Sequence, residues 1–372
     1  MDALSHDGDS SPTAAVRLGT VLDELERLLL RYVEFQVPGH AMLVACWIAN
    51  TYAYEVFQYC GYLALRSSQP GCGKSRLLRL VALHSKGSPR VMTTPTAAAL
   101  FRSESKVIIL DEADRLSNRD KEVHGALVAV LNSGFEKGGA VPRTERTGGR
   151  GEKFSVKEFS VYGPKAFAGV EKLTDTLSDR TFIVALKRAS KRMPRLNERR
   201  LEGTPSRIRE ALQTWADINR ERITRAYDAL PDELPDLRGL DDRFQDIAEP
   251  LIVLATLADE EPADEPSALP RLLEGLHAAA KRRESRERSL PPGALIELVE
   301  ALLGTSDKRF IPSKVLLEEC RRHEEFLAIK SSKGLASKLK RFGLYPQESP
   351  DGKCRGYWLT REWLDEHRGS VA

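Results

Sequence analysis

Tyr62-Leu63-Ala64-Leu65-Arg66-Ser67-Ser68-Gln69-Pro70-Gly71-Cys72-Gly73-Lys74-Ser75-Arg76-Leu77 is the stretch on which the fold of this chain turns. A short apolar run, Tyr62 to Leu65, meets a glycine-bearing turn, and from Ser75 to His84 the apolar residues recur at helical spacing. The predicted order is strand, loop, helix. The turn follows the phosphate-binding pattern G-x-x-x-x-G-K-[ST], except that Ser68 takes the place of the first glycine. Gly71 and Gly73 let main-chain N–H groups curl around phosphate oxygens at a helix N-terminus, which already favours anions. Pro70, Gly71, Cys72, Gly73, Lys74, Ser75 and Arg76 are therefore the candidate nucleotide-binding residues. Lys74 would reach the β- and γ-phosphates, and the Ser75 hydroxyl would ligate Mg²⁺. ATP and Mg²⁺ are the expected cofactors. A chance glycine-rich turn is the competing reading, and the flanking strand and helix argue against it.

Working outward, Val107-Ile108-Ile109-Leu110-Asp111-Glu112 is an apolar strand ending in two acids. Ligands of open α/β sheets bind at the C-terminal ends of strands, so Asp111 can hold the metal and Glu112 can polarise an attacking water. Lys74, Glu112 and, from the resemblance described below, Arg180 form the expected catalytic set, with Ser75 and Asp111 on the metal. Further short apolar runs, Gly163 to Val170 and Thr181 to Leu186, alternate with helix-like stretches such as Glu122 to Leu131. Such alternation predicts an α/β fold with a mainly parallel sheet. The expected organisation is a tail over 1–20, two helices over 21–60, the nucleotide-binding core over 61–190 and a helical lid over 191–258. A linker and helix over 259–289 and a last domain over 290–372 complete it.

Composition narrows the class. With 41% hydrophobic and 30% charged residues in 372, the chain is neither wholly disordered nor a small disulfide scaffold. Its five cysteines contain no C-x-x-C pair, which suits a reducing cytoplasm. Met1 to Thr20 lacks the cationic start and apolar stretch of a signal peptide. The most apolar segment, Ala41 to Phe57, is interrupted by Asn50, Thr51 and Glu55, short of the ~20 apolar residues a membrane span needs. A soluble cytoplasmic protein without membrane partners is expected. Trp47 and Trp215 sit in apolar patterns and read as core residues, and the seven histidines show no metal-ligand spacing.

Together the Gly71–Ser75 turn and the Asp111-Glu112 pair resemble the AAA+ branch of P-loop ATPases. The resemblance implies that Arg180, in Asp179-Arg180-Thr181-Phe182, is an arginine finger reaching a neighbouring subunit's nucleotide. It implies that Arg243, at the start of a lid helix, touches the γ-phosphate from the same subunit. The strand over Lys165 to Val170 ends Ala-Gly-Val without the polar residue such proteins carry there, and neither Glu171 nor Thr174 matches. Between the helix that follows the acidic pair and that strand, Ala140 to Glu145 and Lys153 to Val161 flank Thr147-Gly-Gly-Arg-Gly151, a hairpin resembling those of MCM-type and superfamily III helicases. There such hairpins line a ring's pore and grip DNA, which gives Arg143, Arg146, Arg150 and Lys153 a DNA-tracking role. Over residues 40–365 the chain resembles a mobile-element ATPase family whose members accompany primases. That likeness rests on Pro70-Gly-Cys-Gly-Lys-Ser75, Asp111-Glu-Ala-Asp114, Leu131-Asn-Ser-Gly134, Asp179-Arg180, Glu249-Pro-Leu251 and Lys353-Cys-Arg-Gly-Tyr357. It implies a homo-oligomer, a hexamer by analogy, with a primase on a separate chain as partner.

The C-terminal region resembles a winged helix. Ser332 to Phe342 would be the recognition helix, carrying Lys333, Lys338, Lys340 and Arg341, and Gln347 to Arg355 the wing, carrying Lys353 and Arg355. Tyr357-Trp358 is expected to pack back on the core. Lys308 to Arg341 carries a net charge of +6, which suits phosphate contacts, while the helix has no Asn or Gln to read a base edge. A winged-helix protein-interaction module is the competing reading. The basic run Lys187 to Arg200 reads as a solvated face. The leading reading is an ATP-driven ring that moves DNA, a replicative helicase or initiator. Its alternative is an ATP-gated switch or loader, in regulation or phage defence, that unwinds nothing. A DNA-binding regulator with a degenerate ATPase ranks third.

Overall fold

The computed structural model describes residues 16–67, 71–93, 95–102, 106–112, 121–147, 153–169, 175–262, 267–287, 292–323, 326 and 331–368. They divide into two units, with the boundary between Ala280 and Lys281. The first opens with α1 (Leu18–Tyr32) and α2 (Gly39–Ala53), then β1 (Tyr62–Ser67), α3 (Lys74–His84), β2 (Val91–Met92), α4 (Ala97–Arg102) and β3 (Ile108–Leu110). It continues through α5 (Lys121–Ser133), the hairpin β4 (Ala140–Thr147) and β5 (Lys153–Ser160), β6 (Lys165–Ala168), α6 (Asp175–Ser178) and β7 (Thr181–Leu186). Helices α7 (Thr204–Ile218), α8 (Arg220–Asp228) and α9 (Asp242–Asp259) follow, and α10 (Ala268–Glu287) begins in this unit and runs past the boundary.

Five strands form one parallel sheet in the order β2-β3-β6-β1-β7. Both of its faces are covered, which is how parallel sheets avoid exposing apolar strands. Alternate residues of a strand face opposite sides. Leu63 and Leu65 of β1 join Ile109, Val184 and Leu186 in a core with α1, α2, α3, α7, α9 and α10. Tyr62 and Ala64 join Ile108, Leu110 and Phe167 against α4 and α5. Every residue of α2 is buried, as its all-round apolar sequence requires. Trp47 and Trp215 are buried in this core.

Two boundaries and one strand differ from the sequence reading. The expected tail over 1–20 overlaps α1, because Leu18 is fully buried and the Gly19 N–H donates to Glu261 Oε2 at 3.1 Å. The expected linker over 259–289 is largely part of the first unit. There the Asp259 carboxylate accepts from the N–H groups of Ser267, Ala268 and Leu269 at 2.9, 2.8 and 3.0 Å, capping α10 across the loop. Buried Leu272 and Leu276 then fix α10 to the core. Strand β2 escaped the sequence because it is two residues long and only half-buried, too short to show a period.

The second unit contains α11 (Pro292–Leu303), β8 (Lys308–Pro312), α12 (Ser313–Cys320), α13 (Ser332–Leu339), β9 (Gln347–Glu348), β10 (Arg355–Thr360) and α14 (Arg361–Arg368). Its antiparallel sheet runs β8-β10-β9. Leu298, Leu316, Leu335, Tyr357 and Leu359 build a core of its own. Among the described residues no helix is long and apolar enough to cross a membrane.

Candidate nucleotide and nucleic-acid sites

Strand β1 delivers the chain to the turn, and α3 begins at Lys74. Gly71 and Gly73 have φ of +76° and +89°, a region where a Cβ is strained, so the turn needs glycine at both positions. A Cβ built on Gly71 would meet nothing within 4 Å, leaving open space beside the main chain. Lys74 Nζ donates to Ser67 Oγ at 2.7 Å, across the mouth of the turn. Cys72 is buried and Ser75 is exposed. Arg76 is turned elsewhere: its Nη1 donates to the Tyr32 carbonyl at 2.9 Å, at the C-terminal end of α1. Its side chain is thus spent on holding α1 against the turn helix, which leaves the main-chain N–H of Arg76 for the expected phosphate contact.

The acidic pair follows β3. Asp111 donates its N–H to the Met92 carbonyl at 2.9 Å, which extends the β2–β3 pairing, and its Oδ1 accepts the Glu112 N–H at 2.9 Å. Glu112 has φ of +53°, a left-handed conformation that costs a residue with a Cβ about 1 kcal/mol or more. Ser75 and Asp111, the two expected metal ligands, line one cavity of about 550 Å³ together with Arg79, Arg90, Thr93 and Glu198. A hydroxyl and a carboxylate are hard oxygen donors, and with the open main chain at Gly71 the residues present fit a magnesium nucleotide. Arg79 is one helical turn from Ser75 on α3, whereas Arg90, Thr93 and Glu198 carried no signal in the sequence, since only tertiary packing brings them to the cavity.

Arg180 and Arg243 meet at the opposite end of the strands, where β1 and β7 begin. Arg180 stands just before β7, and its carbonyl accepts the Tyr62 N–H at 2.9 Å where β1 begins. Its Nη1 donates to the Asn132 carbonyl and Oδ1 at 3.0 and 3.3 Å, and its guanidinium lies 4.1 Å from the Phe135 ring centre. Arg243 lies over the same ring at 5.0 Å and over Tyr59 at 5.4 Å, and pairs with Asp246 at 3.2 Å. Tyr59 and Phe135 stack with centroids 5.8 Å apart. Burial pulls the Arg180 pKa below its ordinary value. The six residues of β1, about 20 Å of strand, separate this patch from the turn at Gly71–Ser75. Arg243 therefore stands too far from its own chain's turn to contact a γ-phosphate there, which corrects the same-subunit role expected for it. The cause is α9, whose N-terminus packs beside Arg180.

Leu131 to Phe135 explains part of this geometry. The Leu131 carbonyl accepts from Tyr62 Oη at 2.9 Å, and the Gly134 carbonyl accepts from Lys165 Nζ at 3.2 Å. That lysine is fully buried and also donates to the carbonyls of Val161 and Gly163 at 2.7 and 2.8 Å. A Cβ on Gly134 would lie 2.3 Å from the Val161 oxygen, so nothing larger fits. Sequence reading noted the segment but had no means of pairing it with Lys165.

In the hairpin, Arg143 lies opposite Lys157 and is half-buried, its guanidinium 4.3 Å above the Phe101 ring of α4. It anchors the hairpin rather than presenting a free cation, contrary to expectation. Lys157, opposite it, is exposed. Pro70 and Arg150 lie outside the described residues, as do Glu171, Thr174 and the side chains of Arg146, Lys153 and Arg341. In the second unit Lys333, Lys340 and Arg355 are exposed and Lys338 is half-buried, while Lys353 pairs with Asp351 at 3.6 Å. Trp358 departs from expectation: Tyr357 packs inward, and its neighbour points to the other face of the sheet.

No family model matches the chain, and no curated protein resembles it in sequence. Among solved structures it is similar to the apo C-terminal region of NrS-1, with 10% identity, a TM-score of 0.32, and coverage of 92% of this chain and 75% of that one.

Proposed function

We propose that the first unit is an AAA+ type ATPase, the second a winged-helix DNA-binding domain, and the whole an ATP-hydrolysing, ring-forming motor on DNA. The observation that carries the reading is the shared cavity of Ser75 and Asp111 beside a glycine turn with two left-handed residues. Lys74 would exchange the Ser67 hydroxyl for β- and γ-phosphate oxygens, and Ser75 and Asp111 would hold Mg²⁺. The metal would neutralise charge building on the phosphate oxygens. Glu112 would orient a water and take its proton as the water oxygen bonds to the γ-phosphorus and the bond to the β-phosphate oxygen breaks, releasing ADP and phosphate.

The position of Arg180 supports action on a neighbouring copy. Half-exposed and about a strand's length from its own glycine turn, it can meet a triphosphate only if a second chain brings one. Arg243 beside it would act from the same side. In this form Asn132 and Phe135 occupy Arg180, and Arg143 is packed on Phe101. Both facts favour, as a second reading, a switch or loader whose ATPase waits for a partner. ATPase activity measured with and without single- and double-stranded DNA, beside native mass in a slowly hydrolysed ATP analogue, tests the proposal. DNA-stimulated turnover with a nucleotide-dependent oligomer supports the motor, and a monomer indifferent to DNA sinks it. Strand displacement then separates motor from loader.

A further inference from the structure

The sheet β8-β10-β9 has one face on the core of the second unit and one turned away from it. Ile311, Tyr357 and Leu359 point inward and are buried. The register pairs Phe310 with Trp358 and Lys308 with Thr360, which puts these four on the outer face. The two rings meet edge to face, with centroids 5.2 Å apart and planes at 66°. Lys308 Nζ lies 4.6 Å from the centre of the Trp358 ring. Both aromatics are half-buried, and neither is part of the apolar core behind them. Gly356 lies beneath: a Cβ there would come within 2.7 Å of Phe310 Cζ, so the bare strand lets that ring settle across it. Exposed Gln347 pairs with Gly356 on the same face, and exposed Arg355 borders it.

Two half-exposed aromatics in mutual contact, flanked by cations, make a surface for flat, uncharged rings joined by anionic links. The surrounding segment, Lys308 to Arg341, carries a net charge of +6. Bases inside a duplex stack on one another and offer no free face, whereas unpaired bases stack on aromatic side chains with little regard to sequence. We propose that this outer face binds single-stranded nucleic acid, with Trp358 and Phe310 stacking bases and Lys308 taking an adjoining phosphate. The inference rests on the nucleic-acid part of the reading above and adds strand type to it.

The test uses the full chain, with fluorescence anisotropy of oligo(dT) and oligo(rU) of about 16 nucleotides and of a duplex of equal length. Trp358→Leu should weaken single-strand binding about 5- to 150-fold, the range measured for loss of one stacked base. Duplex affinity should stay within about twofold, since the cations that track the backbone remain. Trp358→Phe, which keeps an aromatic ring, should restore most of the lost affinity. Phe310→Leu should fall in the same direction as Trp358→Leu. Equal performance of Leu and Phe at 358, or equal loss on both strand types, overturns stacking. Wild-type binding to duplex alone overturns this proposal and leaves the duplex-binding domain standing, whereas binding to neither form overturns both.

Discussion

In the proposed site Lys74 would bind phosphate and Glu112 would activate water, so their loss should separate binding from chemistry. Lys74→Ala should abolish nucleotide uptake in calorimetry. Glu112→Gln should still bind ATP while turnover falls about 10²- to 10⁴-fold, the usual contribution of a positioned proton acceptor. Wild-type turnover in Glu112→Gln would remove the hydrolytic assignment. Lys165 poses a different question at the same scale. Burial pushes its ammonium from 10.5 down to about 7, although three carbonyls and the Tyr62 ring surround it. Above pH 7 the folded chain releases this proton while the unfolded chain keeps it to about 10. Stability therefore rises with pH across that window, by up to about 1.4 kcal/mol per unit. Lys165→Met should lose this slope in urea titrations at pH 7 to 9. It should also be less stable by a few kcal/mol at pH 7, because three buried carbonyls lose their donor.

Elements in this protein are joined by polar caps as much as by apolar faces. Asp259, the last residue of α9, caps α10 by accepting from three consecutive N–H groups. Asp259→Ala should destabilise the first unit by about 2 kcal/mol, the upper end for a helix cap, read as a lower urea midpoint at unchanged slope. No change would mean that the apolar contacts of Leu272 and Leu276 hold α10 without it. The hairpin obeys the same logic. Its strands were legible from alternation and its glycine-rich tip, yet the partner of Arg143 was not, since Phe101 stands about 40 residues earlier in another helix.

For the whole molecule, the decisive feature is that the glycine turn and Arg180 lie at opposite ends of the neighbouring strands β1 and β7. In the proposed ATPase, a site completed by Arg180 would need two chains. Lys74→Ala protein retains a sound Arg180, and Arg180→Ala protein retains a sound glycine turn, so each alone should be nearly inactive. Mixed in equal amounts they should recover a sizeable fraction of wild-type ATPase, because some interfaces pair an intact turn with an intact arginine. An inactive mixture, with native mass confirming that the two proteins co-assemble, would remove Arg180 from the chemistry.

The glycine turn was legible in the sequence because it is local: the spacing of Gly71, Gly73, Lys74 and Ser75 sets backbone conformation and charge within one turn, and an apolar strand carries Asp111 to its end. The parallel sheet was legible from the alternation of short apolar runs with helices, apart from β2, which has too few residues to show a period. Tertiary structure alone decided what lies between elements distant in the chain. It put Ser75 and Asp111 on one cavity and carried Arg243 to Phe135, about a strand's length from its own glycine turn. It also spent Arg76 and Arg143 on internal contacts and turned Trp358 outward beside Phe310. Composition counts charges and rings, but their partners follow from packing and register, and those depend on long-range contacts that no local pattern encodes.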